Sequence, residues 1–467
     1  MINSIRTIGI LFFVVMFQIP QVQGQLPNAQ KLKELQGDFI DLKFGMFIHF
    51  NIPTFMEDDW ADPDASPEIF NPDQLDCDQW AEAALSANMS YGALTTKHHS
   101  GFCIWDTKTT DYNVMGSPLK RDVVKEYTDS FRKKGLKVML YYSILDTHHK
   151  IRPGKITPEK VQMIKEQLSE LMTNYGQIDA LIIDGWDAPW SRISYDDVPF
   201  EELYRLIKSY QPNCLVMDLN AAKYPAEALF YTDIKSYEQG AGQHIEKDSN
   251  KLPALSCLPL NQNWFWKPHF PTTAVKDPLK LLNENLVPLN EAHCNFILNV
   301  APNRHGKIDR NALDALEVFG KNWKPGKPLA PLPDYDAPII SSNIAKFRPM
   351  ESSWGNDMWI MDFANDDDFE TSWQSNKAVR EPWIAIELEK ERPFNMVTIT
   401  QEDDTIESYE IAYLANGHWV QLWKGNKSGK IKVHRFPTVW GNKLKIEITK
   451  YTTSPSIAEI GIYNERP

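Results

Sequence analysis

Between residues 40 and 325 the chain alternates short, β-rich apolar runs with stretches of helical periodicity. The runs are KFGMFIHF (43–50), YGALTTK (91–97), KVMLYYS (137–143), DALIIDG (179–185), NCLVMDL (213–219), FYTDIKS (230–236) and CNFILNV (294–300). Helical patterns lie at 78–87, 121–134, 158–175, 199–210, 278–290 and 309–322. The clearest is 158–175, where Val161, Ile164, Leu168, Leu171 and Tyr175 share one face, with Pro158 near its start and Gly176 past its end. Strands that are apolar on both faces need cover on both sides. Alternation with helices gives that cover through a parallel sheet. Seven such runs predict an α/β fold, a (β/α)8-like TIM barrel, with the missing strand in the ambiguous stretch 252–266. An open doubly wound sheet is the rival, and the absence of a GxGxxG after any run weakens its dinucleotide-binding form.

A parallel barrel collects its chemistry at the C-terminal ends of its strands. The tips carry His49 on the first run, Lys97-His98-His99 on the second, Asp184 on the fourth, and Asp218 and Asn220 on the fifth. Glu238 follows the sixth run, and Asn299 and Asn303 belong to the last. Asp184 closes the greasy strand ALIID, which aims a carboxylate into the barrel mouth. A strand-end aspartate that merely caps a helix is the alternative. Two carboxylates facing one pocket suit glycoside hydrolysis, at a separation of about 5–5.5 Å in retaining enzymes. Adjacent histidines on a strand point to opposite faces, so the His98–His99 pair is not read as a zinc site.

At 324–337 the sequence KPGKPLAPLPDYDA holds four prolines and reads as a linker, assigned to 326–337. It separates a catalytic barrel at 25–325 from a region at 338–467. There, WIAIELE (383–389), NMVTITQ (395–401), ESYEIAYL (407–414) and NKLKIEIT (442–449) predict an antiparallel β sandwich. Residues 1–24 resemble a secretory signal: Arg6, an apolar stretch from Ile8 to Phe17 too short to span a bilayer, and a small residue at Gly24. The expectation is a secreted or periplasmic protein with no membrane span. A net charge of −13 without a basic run argues against nucleic acid or anionic lipid as partner. Five widely spaced cysteines with no CxxC predict neither a zinc site nor a dense disulfide scaffold, and at least one buried free thiol.

The segments KFGMFIHF, LTTKHHSGFCIWDTKTTDYNV, LIIDGW and FILNVAPNRHGKIDRNALDALEVFGKNW resemble the α-L-fucosidases of glycoside hydrolase family 29 over most of residues 35–325. NDDDFETSWQS (365–375) followed by PWIAIELEKERPFNMVTI (382–399) resembles a discoidin-like (F5/8 type C) carbohydrate-binding or packing module. The first resemblance implies a retaining exo-α-L-fucosidase that acts on fucosylated glycans without metal or cofactor. It maps the nucleophile onto Asp184 and the acid/base onto Glu238, with Glu246 in the same loop as alternative. It maps sugar contacts onto His49, Asp59, Trp60, His98 and His99, and more loosely onto Trp264 and Trp266, for which core packing is the equal alternative. Departures are Ile182 where the family has tryptophan, Asp59 for glutamate, Ser100 for aspartate, and no clear match for an arginine between the catalytic acids. A fucose-binding protein that has lost turnover and a retaining glycosidase for another sugar stand as rival readings. Asp366, Asp367 and Asp368 are read either as a calcium site or as a solvated acidic turn.

Overall fold

The computed structural model describes residues 29–464 except 187, 189, 220–231, 242–244, 246–249, 251, 333–342, 357–359, 367, 369–370, 402, 428 and 430. The first 24 residues, Asn220, Glu246 and Asp367 therefore lie outside the described residues. Among the described residues no helix is long and apolar enough to cross a membrane.

Eight parallel strands close a barrel in sequence order, with the eighth pairing the first. They are β1 (Phe44–Ile48), β2 (Tyr91–Lys97), β3 (Lys137–Ser143), β4 (Ala180–Asp184), β5 (Leu215–Leu219), β6 (Ile234–Glu238), β7 (Ala254–Pro259) and β8 (Cys294–Asn299). The eighth member expected around 252–266 is thus β7. The sixth run is displaced: the strand starts at Ile234, so Glu238 is its last residue and does not follow it.

Strand alternation sorts the side chains. Phe47, Tyr91, Ala93, Met139, Tyr141, Ala180, Ile182, Leu215, Met217, Leu219, Ile234, Leu255, Cys257 and Ile297 fill the barrel interior. Their alternates, such as Leu140, Leu181, Ile183 and Val216, pack outward under the helices. Counting by twos, Asp184 follows Ala180 and Ile182 inward, and Glu238 follows Ile234. Gly45 faces this interior because a Cβ there would sit 2.2 Å from the Tyr91 ring. The helix Ala29–Ile40, absent from the sequence reading, buries Phe39 and Ile40 in the same interior cluster.

Five of the expected helices form as Cys77–Ser86, Val123–Lys133, Pro158–Asn174, Phe200–Tyr210 and Arg310–Asn322. The expected single helix at 278–290 is broken into α-helical Pro278–Leu281, a π-helical turn Leu282–Leu286 and α-helical Val287–Glu291. Pro288 accounts for this, since its nitrogen cannot donate and its ring crowds the preceding turn. After the barrel, Lys43 donates to the carbonyls of Gly326 (2.9 Å) and Lys327 (2.5 Å), tying the proline-rich stretch to the base of β1.

The C-terminal region is antiparallel, in the order His418–Asn426, Ile406–Ala415, Ile431–Tyr451, Trp383–Thr400, Glu459–Tyr463. A two-stranded sheet, Trp373–Gln374 with Ser456–Ile457, accompanies it. The runs expected as separate strands at 383–389 and 395–401 form one strand, with register shifts between Glu387 and Arg392 and between Phe394 and Met396. Pro393 is accommodated at that irregularity. Trp373, Ile384, Ile386, Tyr409, Ile446 and Ile460 belong to its core. Asp366 spends its carboxylate within its own turn, accepting from Asp368 N (3.1 Å) and Thr371 Oγ1 (2.9 Å). All five cysteines are buried free thiols.

Candidate active site

A cavity of about 170 Å³ opens at the C-terminal end of the barrel, lined by Phe47, His49, Asp59, Trp60, His98, His99, Tyr141, Asp184, Trp190, Leu219, Glu238 and Trp264. Asp184 leaves the tip of β4, and Gly185 behind it takes φ +110, which turns the chain off the strand at once. A Cβ at Gly185 would meet Leu145 N at 3.1 Å. Among the described residues Asp184 caps no helix. Its Oδ2 accepts from the Tyr141 hydroxyl at 2.6 Å, and His99 Nε2 stands 3.8 Å away. Its Oδ1 is buried and has no hydrogen-bond partner among the described residues. Burial raises Asp184 well above the usual carboxylate range, the Tyr141 bond opposes this, and negative charge on Glu238 and Asp218 adds to the rise. Burial pushes Glu238 up to about 7, with a hydrogen bond from Trp264 pulling the other way.

The three histidines are held neutral, chiefly by burial: His49 is lowered to about 4, His99 to about 3, and His98 well below its ordinary value. Hydrogen bonds fix two tautomers. Ser143 Oγ gives its proton to Leu145 O at 2.8 Å, so it accepts from His99 Nδ1, also 2.8 Å away. Asn299 Nδ2 donates to Trp264 O (2.7 Å), leaving its Oδ1 to accept from His49 Nδ1 at 2.7 Å. Each Nε2 is then a bare acceptor, suited to a hydroxyl donor such as a sugar provides. The expectation that His98 and His99 face opposite ways is corrected. β2 ends at Lys97, Gly101 N bonds back to His98 O at 2.9 Å, and the resulting turn brings the rings to 4.1 Å between centroids.

Asp59 is held by Lys267 Nζ (2.7 Å) and by Trp264 N (3.2 Å), so it fastens the loop after β1 to the loop after β7. Trp60 stacks on His99 at 4.9 Å and is 50% exposed, a ring at the rim. Trp264 packs beside His49 at 4.9 Å. Trp266 does not line the cavity. Its indole donates to Asp309 Oδ2 at 2.6 Å and its ring packs with Phe270 and Ala301.

A family model described as Alpha-L-fucosidase matches residues 59–324, more than half of the chain, and one described as F5/8 type C domain matches 349–461. This chain belongs to the alpha-L-fucosidase family. Alpha-L-fucosidase 1 of Arabidopsis thaliana is 27% identical over 94% of this chain and 88% of its own length. The alpha-L-fucosidase isoenzyme 1 from Paenibacillus thiaminolyticus superposes with a TM-score of 0.52 at 25% identity, over 90% of this chain and all of its own. A Ruminococcus gnavus fucosidase, solved in complex with fucose, shares the fold at 21% identity with a TM-score of 0.50, covering 93% of this chain and 94% of that one. The fold is therefore that of the alpha-L-fucosidase barrel followed by a β module.

Four lining residues of this fucosidase were not singled out from sequence: Phe47, Tyr141, Trp190 and Leu219. Tyr141 was within reach, because counting by twos along KVMLYYS places it on the inward face with Met139. Trp190 lies in an irregular loop, where no periodicity points inward.

Proposed function

We propose that this protein is an exported, retaining exo-α-L-fucosidase in which Asp184 attacks the anomeric carbon and Glu238 serves first as acid, then as base. The observation that carries the reading is the pair of buried carboxyls at one cavity, with Glu238 poised near 7. β4 and β6 are separated only by β5, so the two side chains start about 10 Å apart at the backbone and lean inward toward each other. The two titrate as a pair. The chemistry needs a protonated Glu238 beside an ionised Asp184: a proton on Glu238 removes one of the charges that raise Asp184, and the Tyr141 bond favours the Asp184 carboxylate.

In the first step Asp184 forms a glycosyl ester while Glu238 gives its proton to the departing oxygen. In the second, Glu238 takes a proton from water, which cleaves the ester and releases fucose with its original anomeric configuration. His49 and His99 accept from fucose hydroxyls, and the half-exposed Trp60 meets the sugar beyond. The resemblance of the sequence around Trp60 and of the KHHSGF segment to one branch of the family supports a preference for branched α1,3/1,4-linked fucose. Export rests on the resemblance of residues 1–24 to a secretory signal and is checked by fractionating cells that express the full chain.

The test is hydrolysis of 4-nitrophenyl α-L-fucoside and of a branched Lewis-type trisaccharide by protein lacking residues 1–24, with the first-formed fucose anomer followed by NMR. Release of α-fucose first supports the reading, and initial β-fucose overturns the retaining mechanism. Binding of fucose without cleavage favours the binding-protein reading, and cleavage of a different glycoside reassigns the sugar. Glu238→Ala with added azide should recover turnover of the activated fucoside. Recovery by Glu246→Ala instead moves the acid/base role there.

A further inference from the structure

Trp190 has no role in the two-carboxylate mechanism, yet it lines the cavity beside Asp184 and its ring stands 6.4 Å from that of His99. Its indole nitrogen is buried and has no hydrogen-bond partner among the described residues. A buried N–H without an acceptor is costly, and a polar ligand in the cavity would relieve it.

The described residues next to Trp190 are anchored by hydrogen bonds. Ser191 N and Arg192 N both bond Ala188 O, at 3.0 and 2.9 Å, and the Ser191 hydroxyl bonds Gly185 O directly behind Asp184. Arg192 then takes φ +55 and lays its guanidinium 5.1 Å from the ring of Phe347, at the start of the C-terminal module. Phe347 also has φ +55 and is 57% exposed, while its N bonds Asn365 O at 2.9 Å. Two non-glycine residues in the left-handed region thus meet across the boundary between the barrel and the C-terminal module.

We infer that Trp190 is a further substrate-contacting residue, its indole N–H donating to an oxygen of the bound glycan, and that Phe347 is its positioning residue, acting through Arg192. The C-terminal module then forms part of the support of the active-site wall. The inference rests on the fucosidase reading for the identity of the sugar.

The test compares wild type, Trp190→Phe, Phe347→Ala, Phe347→Tyr and the double variant Trp190→Phe/Phe347→Ala on 4-nitrophenyl α-L-fucoside and the branched trisaccharide. Trp190→Phe keeps a ring and removes the donor. It should lower kcat/KM about three- to tenfold on at least one of the two substrates. Phe347→Ala should raise KM about two- to fivefold on that substrate, Phe347→Tyr should restore it, and the double variant should be no worse than Trp190→Phe alone. Additive losses, an unchanged KM in Phe347→Ala, or Trp190→Phe within twofold of wild type overturns the inference. Wild-type turnover separately tests the fucosidase reading. If wild type cleaves neither substrate, calorimetric affinities of the same proteins for the same fucosides decide by the same ratios, and absence of binding to wild type overturns the inference.

Discussion

Tyr141 donates its hydroxyl to Oδ2 of Asp184 across the β3–β4 pair, at 2.6 Å, with both side chains buried. In a cavity whose histidines are neutral, this bond is what opposes the rise that burial imposes on Asp184. Tyr141→Phe should therefore raise Asp184 further and move the acidic limb of kcat/KM to higher pH. A hydrogen bond to a charged group is worth about 1.5–3 kcal/mol, so activity at neutral pH should fall about ten- to a hundredfold. A pH–rate profile of the two proteins checks both the loss and its direction.

Glu238 must carry a proton to act as acid, so activity should fall as pH rises through about 7. The Trp264 hydrogen bond favours the carboxylate. Trp264→Phe should raise Glu238 and shift the basic limb upward while weakening the sugar site. An unchanged or lowered basic limb would contradict the assignment.

A carboxyl whose folded value lies above its unfolded one is least costly while protonated, and the cost appears as pH rises through the unfolded value. Asp184→Asn should accordingly remove turnover and raise the thermal unfolding midpoint relative to wild type, with the gap widening from pH 4 to pH 7. Parallel melting curves across that range read it out.

Behind the histidine turn, Lys97 Nζ meets Tyr142 Oη at 2.9 Å, Gln167 Oε1 at 3.2 Å and Asp146 Oδ2 at 3.3 Å, with Lys97 and Asp146 fully buried. The Lys97 charge and bonds from His149 outweigh burial and hold Asp146 at about 2, below its ordinary value, so its stabilisation is present above pH 4 and fades toward pH 2. Lys97→Met strands a buried carboxylate and should cost about 3–5 kcal/mol in denaturant unfolding at neutral pH.

The barrel was legible because most of its strands are apolar on both faces, and polar residues at or just past several of the tips placed His49, Asp184 and Asn299. β7 was ambiguous because Pro253 precedes it, Pro259 ends it, and only six residues carry the pattern. The His98–His99 turn was misread since strand geometry was extended one step past Lys97, and nothing in the sequence marks where pairing stops. Tyr141 was missed by reading only strand tips, though it sits one inward step below Ser143. Trp190 and Trp266 show the limit from the other side. Both are tryptophans in loops, and only the folded chain puts one against the cavity and the other on Asp309.

The most direct measurement is peptide mass mapping after incubation with an activated 2-deoxy-2-fluoro-α-L-fucoside, which slows breakdown of the glycosyl ester. The account predicts a single fluorofucosyl adduct on the peptide containing Asp184, absent in Asp184→Asn. An adduct on another acidic residue, or turnover of a natural fucoside by Asp184→Asn, would contradict it.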